Sequence, residues 1–92
     1  MYYILFYETV DNYTEKRIPY RAEHLALAQE AQSNGTLILA GAFSKPADGA
    51  ALIFKATSSE VAENFATNDP YVKNGLVTHW YVREWTVVIG GD

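Results

Sequence analysis

The chain has 92 residues, of which 49% are hydrophobic and 20% charged, a balance typical of a folded domain and too apolar for a disordered segment. Its net charge of −4 and its scattered lysines and arginines argue against nucleic acid as a partner. The absence of cysteine excludes disulfides and cysteine-based zinc sites. We therefore predict one small domain over residues 1–92 that gains stability by self-association.

The first predicted element is a strand over residues 2–7. This segment is rich in aromatic and β-branched residues at successive positions, which indicates a strand with two buried faces. It is too short for a signal peptide and has no basic flank before it. No run in the chain approaches the ~18 to 20 apolar residues needed to cross a bilayer. We expect a cytoplasmic protein with no membrane partner.

A loop over residues 11–14 and a helix over residues 19–34 are predicted next. Pro19 suits the first turn of that helix, and Gly35 suits the position after its end. The predicted inner face consists of positions spaced by three and four. They are Ile18, Ala22, Leu25, Ala28 and Gln32.

Two mostly apolar strands over residues 36–43 and 50–56 follow, joined as a hairpin by the turn-rich link 44–49. Thr57 with Glu60 matches a capping box, which predicts the start of a second helix. The inner face of this helix is predicted to contain Val61, Ala62, Phe65 and Ala66.

The second helix is expected to end at Asn68-Asp69-Pro70, because the residue before a proline is disfavoured in helical conformation. A long last strand over residues 76–89 and a frayed tail over residues 90–92 complete the chain. The order β-α-β-β-α-β predicts an α+β, ferredoxin-like antiparallel sheet with two helices on one face. The other face would then be apolar and uncovered, so we predict a homodimer that pairs two sheets as a dimeric α+β barrel.

His24 and Asp69 are the candidate catalytic residues. Histidine is the side chain whose ordinary pKa, near ~6.5, suits proton transfer at neutral pH, and a carboxylate can orient its ring. In the predicted fold both lie on the helix side of the sheet, where they could meet. On spacing alone, His24 could equally be a partly buried histidine at the rim of the core, and Asp69 a turn-forming aspartate.

Several short motifs resemble the YCII-like proteins in order and spacing over nearly the whole chain. The motifs are Glu15-Lys16-Arg17, Arg21-Ala22-Glu23-His24-Leu25, Gly35-Thr36-Leu37 with Ala40-Gly41, and Asp69-Pro70-Tyr71-Val72 with Gly75. The resemblance implies a ferredoxin-like domain that dimerises into an α+β barrel, with His24 and Asp69 as a His-Asp pair in a pocket. One such protein eliminates HCl from a chlorinated aromatic ring, and some domains are fused to transcription factors.

The chain departs from this family where many members have Gly-Pro and it has Gly41-Ala42-Phe43, and in its tail after Trp85. We expect Phe43 to alter the substrate pocket.

Three further residues are candidate ligand contacts. Arg21 could bind a substrate carboxylate or phenolate, or form a salt bridge with a neighbouring acid. Tyr71 could close the pocket with its ring or only pack beneath the turn. His79 could face the sheet cavity, although an ordinary strand histidine is the more common interpretation.

We predict an enzyme that moves a proton with His24 and Asp69, a lyase or isomerase acting on a small cyclic or acidic compound. No P-loop, dinucleotide-binding or nucleophile-elbow pattern occurs, so no nucleotide cofactor is expected, and the two histidines lack the spacing of a metal site. One alternative is a non-catalytic, ligand-binding or regulatory dimer. A second, by analogy of fold alone, is an α+β barrel monooxygenase or haem-type protein.

Overall fold

The computed structural model describes residues 1–91, so the last residue of the predicted tail, Asp92, lies outside the described residues. The strands are β1 (Tyr2–Thr9), β2 (Leu37–Ala42), β3 (Gly49–Lys55) and β4 (Val77–Trp85). The helices are α1 (Tyr13–Lys16), α2 (Arg21–Ser33), α3 (Glu60–Asn68) and α4 (Pro70–Lys73), and a 3₁₀ turn, Ile18–Tyr20, precedes α2. The strands form one antiparallel sheet in the order β2-β3-β1-β4, which confirms the predicted ferredoxin-like topology.

The central strand β1 divides its side chains between the two faces of the sheet. Tyr3, Leu5 and Tyr7 point to the helix-covered face and are buried, whereas the residues between them are only partly buried. On β3, Leu52 and Phe54 extend the buried face. The core therefore lies between the sheet and the helices, and no layer formed by residues 1–91 covers the other face of the sheet.

The helix at α1 was not predicted. Asn12 adopts a left-handed conformation (φ 59°, ψ 30°) that reverses the chain after β1, and the Arg17 N–H then donates to the carbonyl of Tyr13 at 2.9 Å. Tyr13 is buried against the core, which holds this short helix in place. The predicted loop over residues 11–14 is therefore wrong in its second half.

The predicted face of α2 is partly wrong. The side chains that pack on the core are Leu27, Ala28 and Ala31, whereas Leu25 is 38% exposed. Ile18 lies in the 3₁₀ turn and is 69% exposed. Because α2 passes over the edge strand β2, part of its inner face looks into a cavity instead of a packed core.

Two predicted element boundaries also differ from those in the structure. Helix α3 starts after Ser59 and not at the predicted Thr57 capping box, since three successive hydroxyl residues offer alternative starts and Ser58 Oγ accepts from the Glu60 N–H at 3.3 Å. Strand β4 ends at Trp85, because its partner there is Tyr2, the first residue of β1, and no strand remains for residues 86–89.

The predicted end of α2 and inner face of α3 are confirmed. Gly35 follows α2 with a φ of +81°, the left-handed conformation that ends a helix without steric cost in glycine. On α3, Ala62, Phe65 and Ala66 are buried. Within residues 1–91, no helix combines the length and the apolar character needed to cross a membrane.

Candidate functional site

Asp69 lies at the sharp bend between α3 and α4. Pro70 keeps Asp69 out of the helical region (φ −72°, ψ 124°), so α3 ends and the chain turns there. The Asp69 carboxylate then caps α4 by accepting the Tyr71 N–H at Oδ1, at 3.0 Å. This local Asp-Pro-Tyr geometry fixes the carboxylate in a fully buried position, with 0% of the residue exposed.

Two side chains from distant parts of the chain complete the surroundings of this carboxylate. The Tyr7 hydroxyl of β1 donates to Asp69 Oδ2 at 2.7 Å, and His24 Nδ1 of α2 lies 2.9 Å from Oδ1. A buried carboxylate is costly unless hydrogen bonds replace its hydration. Here β1, α2 and α4 each supply a hydrogen-bonding group, and the three together replace the hydration that the buried carboxylate loses.

The contact with Asp69 fixes the orientation of the His24 ring. A carboxylate accepts hydrogen bonds, so Nδ1 carries the proton and Nε2 is left as the nitrogen available to a ligand. The imidazole stacks on the Tyr71 ring with 3.9 Å between centroids and a 7° interplanar angle. His24 is therefore held by a hydrogen bond at its edge and by an aromatic ring on its face, and it lines a cavity.

The cavity has a volume of about 480 Å³ and is bounded by α2 on one side and by β2 and β3 on the other. Small residues line it from both sides, with Ala28 on the helix and Ala40 and Ala42 on the edge strand. A volume of this size is in the range of small-ligand pockets. The other apolar lining residues include Leu25, Leu37, Ala50 and Leu52.

Arg17 and Arg21 bring positive charge to this cavity, and both line it. The Arg17 guanidinium carbon lies 5.2 Å from the centroid of the Tyr13 ring, within the range of a cation–π contact. Tyr13 in turn packs edge-on against Tyr71, with 5.7 Å between centroids. An aromatic wall therefore runs from Arg17 to His24.

Tyr7 and Tyr71 remain protonated at neutral pH. Burial, and then the charge of Asp69 and the hydrogen bond to it, raise the pKa of Tyr7 far above its usual value. Burial and the neighbouring Tyr13 raise the pKa of Tyr71, while Arg21 and Arg17 act in the opposite direction. Both hydroxyls therefore keep their protons under physiological conditions and can donate hydrogen bonds.

The structure brings most of the sequence-predicted site residues together. The expected contact between His24 and Asp69 is present, and Arg21 and Tyr71 line the same cavity. Phe43 does not line it, because it follows the end of β2 and packs beside Gly49. His79 pairs with Glu8 on the uncovered face of the sheet, away from the cavity.

Three residues of the site were missed by sequence reasoning: Tyr7, Tyr13 and Arg17. A tyrosine on the buried face of a strand needs a partner for its hydroxyl, and that rule could have drawn attention to Tyr7. Arg17 lies four positions before Arg21. Because residues 11–14 were predicted to form a loop, the packing of the Tyr13 ring beneath Arg17 could not be predicted. Within residues 1–91, no three His, Cys, Asp or Glu side chains cluster as metal ligands would.

The fold and the site together define a class of small α+β proteins in which a histidine and a buried carboxylate meet beside a cavity. The chain belongs to the YCII family, since the model of the YCII-related domain matches residues 1–86. It is 29% identical over 97 aligned positions to an uncharacterised protein of Haemophilus influenzae, covering 96% of this chain and 99% of that protein.

A solved structure supports the same fold. It is that of TftG, a 5-chloro-2-hydroxyhydroquinone dehydrochlorinase from Burkholderia phenoliruptrix AC1100, in complex with 2,5-dihydroxybenzoquinone. The TM-score is 0.78 at 24% sequence identity, and the match covers 94% of each chain.

Proposed function

We propose that this protein is a small-molecule enzyme that transfers a proton with His24 and Asp69, in a lyase or isomerase reaction on a small cyclic or acidic compound. The observation that carries the proposal is the 2.9 Å contact between His24 Nδ1 and a fully buried Asp69, made by a ring that also lines the cavity. In this arrangement Nε2 is the general base, and Asp69 stabilises the imidazolium that forms.

The chemical step needs no group beyond these two side chains and the substrate. His24 Nε2 removes a proton from the substrate, and the electron pair of the broken bond moves into the ring. In an elimination that pair expels a leaving group such as chloride, and in an isomerisation the imidazolium returns the proton at another atom. General acid-base catalysis contributes ~10² to 10⁴-fold, which suits an activated ring.

The structural neighbour supports this class of substrate. TftG is named for the loss of HCl from a hydroxylated, chlorinated ring, and its structure holds a six-membered quinone. A cavity of about 480 Å³ has room for such a ring, since an apolar cavity of about 150 Å³ already accepts benzene. We infer that the present site takes a ligand of similar size.

We also infer that the protein acts as a homodimer. On the uncovered face of the sheet, β1 and β4 present a stacked pair, Phe6 and Tyr81, with 5.0 Å between ring centroids. Trp85 and Leu39 extend this apolar surface and are exposed in the single chain. Apolar surface of this extent is ordinarily buried against another protein, and a second copy would pair the sheets as an α+β barrel.

Turnover assays with matched variants test the catalytic proposal. Under anaerobic conditions, chloride release from 5-chloro-2-hydroxyhydroquinone and turnover of small carboxylates, quinols and lactones would be compared in the wild type, His24→Ala and Asp69→Asn. We expect a loss of ~10²-fold or more in both variants. Asp48→Asn removes an exposed carboxylate and His79→Gln removes the other imidazole, so both should remain active. Equal turnover in all five proteins contradicts the proposal, and ligand binding without turnover favours a non-catalytic role.

A spectroscopic measurement tests the orientation of His24 without a substrate. Long-range ¹H–¹⁵N spectra distinguish the two neutral tautomers of histidine, and we expect His24 to carry its proton on Nδ1. If the proton is found on Nε2 instead, His24 cannot act as the base in the way proposed.

A further inference from the structure

We propose that the cavity selects a planar ring bearing an oxyanion, a carboxylate or a phenolate, and that Arg17 and Arg21 bind this group beside Tyr71. The inference rests on the proposed function, because it names the substrate class of the same site. It adds Arg17 as a residue that determines specificity.

The distribution of charge is the first observation. The chain as a whole has a net charge of −4, with 11 acidic residues against 7 basic ones. Nevertheless Arg17 and Arg21 both line the cavity, and none of the lining residues within 1–91 is an aspartate or a glutamate. Asp69 lies behind the His24 and Tyr71 rings, with 0% of its surface exposed. The cavity therefore offers two guanidinium groups without a competing carboxylate in its wall.

The positioning of Arg17 is the second observation. Its guanidinium is held over the Tyr13 ring at 5.2 Å, and Tyr13 is buried in the core. A long side chain that is already oriented by stacking loses less conformational entropy when it binds a ligand. Helix α1 therefore contributes to binding by fixing a platform for Arg17.

The Tyr71 hydroxyl is the third observation. Tyr71 is 1% exposed and lines the cavity. Arg21 is within reach of its hydroxyl as a hydrogen-bond donor, and the charges of Arg21 and Arg17 also act on that hydroxyl. A guanidinium cannot accept a hydrogen bond, and no acceptor within residues 1–91 takes the hydroxyl proton. A buried hydroxyl proton without an acceptor is unfavourable and uncommon in native proteins. A ligand oxyanion between the guanidinium groups would provide the missing hydrogen-bond acceptor.

This arrangement also places anion binding next to the proton-transfer residue. The Tyr71 ring, whose hydroxyl proton lacks an acceptor, is the ring on which the His24 imidazole stacks. An oxyanion held at the hydroxyl end would therefore orient the ligand ring relative to His24. Orientation of this kind contributes to catalysis separately from the acidity of the groups involved.

A matched pair of probes tests the selectivity. 2,5-Dihydroxybenzoate carries a carboxylate, and 2,5-dihydroxybenzamide has the same ring with a neutral group in its place. Isothermal titration calorimetry at pH 8 would give both dissociation constants. We expect the carboxylate to bind at least about tenfold more tightly, as a hydrogen-bonded ion pair does. Equal affinities, or no measurable binding of the carboxylate, overturn the proposal.

Charge-removing variants locate the source of the preference. We expect Arg17→Met and Arg21→Met each to lose most of the preference for the carboxylate over the amide. Lys16→Met removes a positive charge from the residue just before Arg17, and we expect it to keep this preference. Tyr71→Phe keeps the stacked ring, and we expect it to weaken binding of the carboxylate more than that of the amide. Arg21 is exposed, so its variant is expected to fold even if Arg17→Met does not. An unchanged preference in Arg21→Met overturns the proposal.

His24→Gln separates this inference from the proposed function. The anion preference should persist in this variant, although turnover should be lost. If His24→Gln abolishes the preference and the arginine variants retain it, the imidazole binds the anion and the role given to Arg17 and Arg21 is wrong. If the preference behaves as expected and no substrate is turned over, the anion site stands and the catalytic proposal fails.

Discussion

The Asp69 carboxylate is buried from solvent, and hydrogen bonds with its neighbours stabilise it there. The Tyr7 hydroxyl, the Tyr71 N–H and His24 all contact its two oxygens, at 2.7 to 3.0 Å. Hydrogen bonds to a charged group contribute about 1.5–3 kcal/mol each, and the loss of one from a buried ion is costly. The geometry of His24 thus depends on β1 as well as on the Asp-Pro bend.

Replacement of Tyr7 by phenylalanine should destabilise the fold at neutral pH. The change keeps the buried ring and removes the donor to Asp69 Oδ2, so we expect the free energy of unfolding in urea at pH 7 to fall by about 1–3 kcal/mol. Tyr3→Phe is the matched control in the same strand, because the Tyr3 hydroxyl lies 3.7 Å from the Met1 sulfur and not beside a carboxylate. A smaller loss in the Tyr3 variant is expected, and an equal loss in both contradicts the special role of Tyr7.

The decrease in the free energy of unfolding at alkaline pH should depend on the same Tyr7 hydroxyl. The pKa of Tyr7 is raised in the folded state, mainly by burial and then by Asp69. The stabilisation linked to this proton is therefore fully present below the unfolded pKa of ~10 and is lost as the pH rises above it, by up to ~1.4 kcal/mol per pH unit. We expect the difference in stability between wild type and Tyr7→Phe to narrow between about pH 10 and 11. If the free energies of unfolding of the wild type and Tyr7→Phe change in parallel with pH over that range, this prediction is wrong.

At the scale of elements, the position of Asp69 between α3 and α4 is determined by a short stretch of sequence. Asp69 before Pro70 ends one helix and caps the next, and both effects follow from the dipeptide alone. The alternation in β1, the hairpin of β2 and β3, and the glycine after α2 are signals of the same kind. For this reason the topology could be predicted, and it placed His24 and Asp69 on the same side of the sheet. That the two residues form a pair was implied by the resemblance to the YCII-like proteins.

The features that sequence reasoning missed depend on tertiary neighbours. The end of β4 is set by where β1 begins, since Tyr2 pairs with Trp85, and Val88 beyond it is 88% exposed. The face of α2 is set by its position over an edge strand, which leaves Leu25 on a cavity. Helix α1 depends on a left-handed residue and on burial of Tyr13, so neither it nor the placement of Arg17 had a periodic pattern to reveal it.

The small residues on β2 should be what keeps the cavity open. Ala40 pairs with Leu52, which places its side chain on the helix-covered face, where it lines the cavity. We expect Ala40→Leu to weaken binding of 2,5-dihydroxybenzoate by at least about tenfold, because the added carbons occupy the space of the ring. Stability should be unchanged or higher by ~1 kcal/mol, since the leucine buries apolar area in an existing gap.

Ala26→Leu is the control for this change. It makes the same substitution on α2 at an exposed position that does not line the cavity, and it should leave binding unchanged. For both variants, isothermal titration calorimetry gives the affinity for 2,5-dihydroxybenzoate, and urea unfolding gives the free energy of unfolding. Unchanged affinity in Ala40→Leu would place the ligand elsewhere.

At the scale of the whole molecule, the two faces of the sheet have different roles. The helix-covered face holds the core, the Asp69 network and the cavity. The uncovered face presents the Phe6–Tyr81 stack, Leu39 and Trp85, and the last two side chains and Tyr81 are exposed in the single chain. For a chain of 92 residues, burial of this face against a second copy would add stability that a small core supplies only in part.

We therefore expect a homodimer whose interface is this face. Size-exclusion chromatography with light scattering at micromolar concentration should give about twice the chain mass of 10.3 kDa. Tyr81→Glu places a charge within the apolar face, opposite a second copy of the same surface, and should shift the protein to a monomer. Ile18→Glu is the control, because Ile18 is 69% exposed in the turn before α2 and not on the sheet. A monomeric wild type at that concentration, or a dimer that persists in Tyr81→Glu, would show that the uncovered face does not join two copies.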